Sequence, residues 1–253
     1  NHQRNLQPGG TNQKGLLRQP YRHVRTAVSV QLLCQRLCLL SIPPSEQTHR
    51  QEETDPGRNQ KRSHRSAGYG PQETCLEAGE DPVNNPIEYI LECIKTVYSI
   101  NHKNGAIRRV NVNIAATTKE EYKMLKDAGI GTYILFQETY HKDSYEKLHP
   151  TGPKHNYAWH TEAMDRAMEA GIDDVGLGVL FGLEMYRYEL AGLLMHAEHL
   201  EAAQGVGPHT ISVPRVRPAD DIDPDDFDAG VDGGLTDDLF AKIIAIIRIA
   251  VPY

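Results

Sequence analysis

Long apolar runs are missing from this sequence. None approaches the roughly 18 residues that a membrane-spanning helix needs, so no helical membrane span is expected. Cysteine is scarce: four in 253 residues, at Cys34, Cys38, Cys75 and Cys93. With no signal peptide at the start, they point to the reducing cytoplasm rather than to a disulfide scaffold. Positive charge is in deficit, with 27 Lys and Arg against 34 Asp and Glu and a formal net charge of −7. A chain without a general basic surface is not expected to bind nucleic acid. At 39% hydrophobic and 24% charged the chain is slightly lean in apolar residues for a soluble protein. Its length allows one barrel-sized domain or two small ones.

What is present divides into two unlike halves. Residues 1–75 are crowded with Gln, Arg, Ser, Pro and His, and hold one apolar stretch, Val28–Leu40. No helical or strand period runs through them, a composition that predicts disorder. From Leu76 onward the pattern changes. Asn85–Ile100 carries Ile87, Ile90, Leu91, Ile94 and Val97 at helical spacing, with Pro86 allowed in the first turn. Arg109–Ile114 alternates as a strand. Thr118–Ala128 reads as a helix with a capping box, Thr118 and Glu121, closed by Gly129. Thr132–Phe136, Val175–Phe181 and His209–Val213 read as strands, and Asn156–Ala170, Met185–Ala203 and Thr236–Val251 as helices. Strand alternating with helix predicts a mainly parallel sheet, open or closed into a barrel. The chain stops just after a helix, where another strand is due.

Several blocks in this second half resemble one family in its own order. They are LEAGEDPVNNPIEYIL, RVNVNIAATT, AGIGTYILFQETYH, YEKLHPTGPK, EAMDRAMEAGIDDVGLGVLFGL, LLMHAEHLE and GVGPHTISVPRVRPADDI. Together they are similar to the radical S-adenosylmethionine tyrosine lyases of [FeFe]-hydrogenase maturation, the HydG family. The 2-iminoacetate synthases of thiamine biosynthesis are the close relatives. The resemblance implies an α/β fold, a partial (β/α)8 TIM-type radical S-adenosylmethionine barrel holding about strands 2 to 6 in residues 76–253. It also implies a chain truncated before the last strands and before a C-terminal cluster region.

In that family a CxxxCxxC motif after the first strand binds a [4Fe–4S] cluster through three thiolates, leaving one iron for S-adenosylmethionine. One short loop must place three soft ligands around one cluster, so the spacing matters. Here Cys34 and Cys38 keep the first gap, but the third position is Ser41; read literally, the cluster ligands are absent. The genetic code supplies an explanation. Val30–Ser41 (VQLLCQRLCLLS) has a synonymous encoding that, begun two bases earlier, reads LSNYCVNGCVYC. The same shift turns Thr54–Cys75 into LTQEEIKRGHIALQDMGHKRLA, which joins LEAGE as the family would. Gly15–Val30 becomes YYGNRIVMFAPLYLS, a first strand. Residues 1–75 are therefore read as a frame-shifted, non-native segment ahead of the barrel, and the chain as written is expected to be inactive.

The resemblance also names candidate site residues. Gly79 and Glu80 would lie along the methionyl amino group of S-adenosylmethionine, where a carboxylate suits an ammonium; a turn before a helix, with Asp81 or Asn85 as cap, is the other reading. Asn111 and Asn113 share the strand face opposite Val110, Val112 and Ile114. Amides facing a barrel interior need partners, from a cofactor or equally from neighbouring strands. Gln137 and Glu138 end the next strand, where these barrels gather cofactor groups, and Glu138 could accept the ribose hydroxyls. Capping is the preferred reading of His141. Ser212, Arg215 and Arg217 could hold the carboxylate of a tyrosine substrate, and a surface salt bridge is the plain reading for the arginines. No metal ligand is assigned. His196 and His199 sit on a Leu-rich helix, Gly176, Gly178 and Gly182 fall within a strand, and DDIDPDDFD reads as a solvated loop.

The reaction that the resemblance implies begins with reductive cleavage of S-adenosylmethionine at the cluster. The radical formed takes hydrogen from the tyrosine amine, and Cα–Cβ cleavage releases p-cresol and dehydroglycine. The hydrogenase maturation machinery is the implied partner, receiving carbon monoxide and cyanide. No catalytic residue is assigned. A 2-iminoacetate synthase and a non-catalytic binding fragment are the alternatives.

Overall fold

The computed structural model describes the backbone of residues 25–28 and, from there on, residues 73–83, 85–102, 105–216 and 235–252. Cys34, Cys38, Ser41, Arg217 and the Asp-rich run lie outside the described residues.

Six strands form one parallel sheet: β1 (Arg25–Val28), β2 (Glu73–Glu77), β5 (Arg109–Asn113), β6 (Tyr133–Glu138), β7 (Val175–Val179) and β8 (Thr210–Ser212). Their order in the sheet follows the chain, and every pairing is parallel. A two-stranded ribbon, β3 (Asn101–His102) with β4 (Gly105–Ala106), stands apart. Sequential parallel strands with helical crossovers form the arc of a (β/α)8 barrel. Strands β5, β6, β7 and β8 are the four legible in the sequence, and β2 stands where the resemblance puts a strand before Gly79. The expected boundary at Cys75 falls inside β2, and the backbone of Arg25–Val28 pairs beside it as an edge strand.

The helices are α1 (Ile87–Tyr98), α2 (Lys119–Asp127), α3 (Lys142–Leu148), α4 (Tyr157–Thr161), α5 (Ala163–Glu169), α6 (Tyr186–Gln204) and α7 (Asp237–Ala250). Helix α1 buries Ile90, Cys93, Ile94 and Val97, the apolar stripe legible in its spacing. Pro86 is its N-cap rather than part of its first turn. The capping box of α2 forms as expected, Glu121 N–H donating to Thr118 Oγ1 at 3.2 Å and Thr118 N–H to Glu121 Oε2 at 3.4 Å. Gly129, at φ 76°, ends it in a conformation that costs glycine least.

Period-two alternation divides the sheet into two faces. Thr74, Leu76, Val110, Val112, Tyr133, Leu135, Val175 and Leu177 point to the helices and are buried. With Ile94, Tyr122, Leu125, Ala167 and Leu193 they make the main core. The other face, carrying Glu73, Cys75, Glu77, Arg109, Asn111 and Asn113, lines a cavity of about 620 Å³.

Candidate functional site

The cavity floor is a closed polar network. Arg109 donates to Asn111 Oδ1 at 3.1 Å and to Thr132 Oγ1 at 3.0 Å, pairs with Glu73 at 3.4 Å and bonds Asp174. Asn111 Nδ2 donates to Glu73 at 2.8 Å, and its Oδ1 accepts from the Thr132 amide at 2.9 Å. Gly131 makes room for this knot: a Cβ there would lie 2.5 Å from Asn111 Oδ1. The hydrogen bonds of Asn111 thus go to neighbouring strands. Asn113, one step nearer the strand ends, is half-buried, and its side chain bonds no described residue.

Above the strand ends lies a second cavity, of about 240 Å³, lined by Gly79, Glu80, Asp81, Asn85 and the Ile114–Thr117 loop. Asn85 Nδ2 donates to the Gly79 carbonyl at 3.0 Å, which fixes the loop, while its buried Oδ1 has no partner. Asp81 accepts from the Val83 amide at 3.0 Å. An orphan acceptor beside a carboxylate calls for a donor, preferably a cationic one. The charge of Glu80 is felt by Tyr133 and Tyr145, whose hydroxyls are held above their usual range, chiefly by burial.

Strand β6 ends in a bulge between Phe136 and Glu138. It separates two residues that the sequence treats alike. Gln137 turns toward the helices, is buried, and donates to Thr161 Oγ1 at 2.9 Å. Glu138 turns to the barrel mouth at φ 66°, the one non-glycine residue with positive φ among those described. Such a backbone costs about 1–3 kcal/mol and gathers at functional sites. Its carboxylate accepts from Lys154 Nζ at 2.8 Å, with side chains 17% and 15% exposed. Lys154 was not picked out from sequence, because its partner comes from another element and no local pattern marks it.

Ser212 lies on the cavity face of β8. Arg215 follows it, bridging to Phe181, with its guanidinium on Asp237 at 2.7 Å, on the Leu235 carbonyl at 3.3 Å and over the Phe240 ring at 4.7 Å. Gly79, Glu80, Asn113, Glu138, Ser212 and Arg215 therefore share the C-terminal ends of the strands; Asn111 lies lower and Gln137 faces away. His141 caps α3, accepting from the Ser144 amide at 3.4 Å. His196 bonds the Tyr140 hydroxyl and His199 bonds Asp165, so the two do not act as a pair. Among the described residues no three His, Cys, Asp or Glu side chains could hold a metal ion, and no helix is long and apolar enough to cross a membrane.

No family model matches the chain. Two curated 2-iminoacetate synthases, from Escherichia coli strain K12 and Salmonella typhimurium strain LT2, are each 33% identical over 110 residues, 43% of this chain and 29% of theirs. The crystal structure of HydG, a maturase of the [FeFe]-hydrogenase, matches with a TM-score of 0.85 at 51% identity, covering 90% of this chain and 50% of that one. HydG from Carboxydothermus hydrogenoformans matches at 0.81 and 35% identity, covering 90% and 51%. Methylornithine synthase, at 16% identity and a TM-score of 0.67, shares the fold. The chain spans about half the length of the HydG structures and less than a third of the curated relatives. Over the part they share, this chain is HydG-like, an arc of the radical S-adenosylmethionine barrel with 2-iminoacetate synthase as a relative.

Proposed function

We propose that the parent activity is that of a cytoplasmic radical S-adenosylmethionine tyrosine lyase, cleaving tyrosine to p-cresol and dehydroglycine for [FeFe]-hydrogenase maturation. The observation that carries this reading is the 51% identity to HydG over 90% of the chain.

The mouth of the barrel fits S-adenosylmethionine. Its methionyl ammonium finds Glu80, the Gly79 backbone and the orphan Asn85 Oδ1 in one pocket. Glu138 would accept from the ribose hydroxyls. Ser212 and Arg215 would take the tyrosine carboxylate, Arg215 exchanging Asp237, a partner 90% exposed and so weakly held. Bound there and given one electron by an intact cluster, S-adenosylmethionine would supply the radical that starts the cleavage, while the protein would orient it and exclude water.

The described residues do not fit the [4Fe–4S] cluster. Cys75 and Cys93 are the cysteines among them, in no disulfide, both buried and on different elements. Burial, with Glu77 and Glu73 nearby, pushes the Cys75 thiol up to about 12, far from the thiolate a cluster needs. With Ser41 in the third motif position, the chain as written is an inactive form of its family. The relatives at 33% identity favour 2-iminoacetate synthase as the second reading, which shares the cleavage.

The test is anoxic incubation with S-adenosylmethionine, a reductant and tyrosine, comparing the chain as written with a form in which the shifted frame restores the three cysteines. The restored form is expected to release p-cresol and 5′-deoxyadenosine, and the chain as written neither. A restored form that loads its cluster yet releases no p-cresol would overturn the reading.

A further inference from the structure

Strands β2 and β5 meet in register along the cavity, with Glu73 opposite Arg109, Cys75 opposite Asn111 and Glu77 opposite Asn113. In the first two rungs Glu73, Arg109 and Asn111 are tied into the floor network. The third is not: the Glu77 carboxylate and the Asn113 amide both face the cavity, and neither bonds nor pairs with any described residue. Burial holds the Glu77 carboxyl above the usual range, and no cation among the described residues pairs with it. A half-buried carboxylate left so is costly unless something completes it.

The same cavity has an apolar wall next to this rung. Ile134 and Phe136 of β6 line it, and the Phe136 ring lies against Gly178, where a Cβ would be 2.3 Å from the ring. A polar rung beside an aromatic wall suits a small aromatic amino acid with a hydrogen-bond donor on it. A carboxylate only accepts, while an amide both donates and accepts. An O–H or N–H would therefore bond Glu77 and complete its contacts on Asn113.

Building on the tyrosine-lyase reading, we infer that Glu77 and Asn113 form a substrate-positioning pair that holds a hydrogen-bond donor of the amino-acid substrate inside the barrel. That donor is either the phenolic hydroxyl or the amine. Neither residue lines the smaller cavity around Gly79 and Glu80.

Calorimetric titration of the full chain with three probes tests this: L-tyrosine, L-phenylalanine, which lacks the hydroxyl, and 3-(4-hydroxyphenyl)propionate, which lacks the amine. Glu77→Leu is expected to weaken L-tyrosine binding roughly ten- to hundredfold, as loss of a hydrogen bond to a charged group does. If L-phenylalanine weakens equally and the propionate does not, the donor is the amine. If the propionate weakens and L-phenylalanine does not, it is the hydroxyl. Glu77→Gln and Asn113→Leu, checked by thermal melting, provide folded variants should Glu77→Leu not fold. Unchanged binding of all three probes to folded variants overturns the inference and leaves the tyrosine reading standing. A wild-type chain that binds no L-tyrosine overturns both.

Discussion

At the scale of single residues, the site depends on charges held where water is scarce. Lys154 and Glu138 pair at 2.8 Å while each is less than one-fifth exposed, and Glu138 accepts a positive φ to reach that position. Removing one partner of such a pair leaves a buried charge unanswered. Lys154→Met should cost about 3 kcal/mol of stability in urea unfolding, and a loss below about 0.5 kcal/mol would show the pair to be incidental. Two histidines add a pH dependence. Burial and the neighbouring Lys154 depress His149 to about 4 and His160 to about 3, against an ordinary value of 6.5. Each also keeps a buried ring nitrogen without a partner. Below pH 6.5 the unfolded chain binds protons that the folded one refuses, so stability falls as pH falls from 6.5 towards 4. At pH 5 each histidine should lower it by ~2 kcal/mol relative to pH 7.5, an effect that His149→Phe would reduce in a pH series of melts. Sequence gave these residues no role, because their burial is a property of tertiary packing. It also treated Gln137 and Glu138 as one group, since a bulge that turns neighbours apart leaves no mark on composition.

At the scale of elements, most of the sheet and its long helices were legible because period and capping agree. Thr118→Ala removes the side-chain arm of the α2 capping box and should cost about 1 kcal/mol in a thermal melt. The one long helix expected over Asn156–Ala170 is instead α4 and α5, interrupted at Glu162. Thr161 explains the break: its hydroxyl bonds back to the Tyr157 carbonyl at 2.8 Å while accepting from Gln137, and such back-bonding bends helices. Helix α3 was invisible as a pattern because its seven residues bury only Tyr145 and Leu148. The glycines of β7 look like a phosphate loop and instead make space for side chains on the neighbouring strand. Gly178→Ala should force the Phe136 ring from its place and destabilise the fold by about 1–3 kcal/mol. An unchanged melt would mean that the ring moves freely.

At the scale of the whole molecule, the parallel arc brings to one rim residues that lie as far apart in sequence as Gly79 and Arg215. Which strand ends would face one another was legible from the alternation of strand and helix. Which polar groups would find protein partners was not, because Asn111 and Asn113 have the same pattern and differ only in which side chains stand beside them in the sheet. Apolar surface remains on α7, where Ile249 is 81% exposed and Ile246 45%. Exposed faces of this kind drive association, so the chain at tens of micromolar is expected to elute above its monomer mass in light-scattering chromatography. A cooperative, monomeric melt would argue otherwise.

The folded half resembles HydG in sequence and fold, and we propose that the segment before it is written in another frame. Sequencing the DNA across the codons for residues 1–76 tests this most directly. The predicted result is codons that read NYCVNGCVYC in the shifted frame and join KRLA to LEAGE. Codons incompatible with those strings would mean that Ser41 truly replaces the third cysteine, and the lyase assignment for this chain would fall.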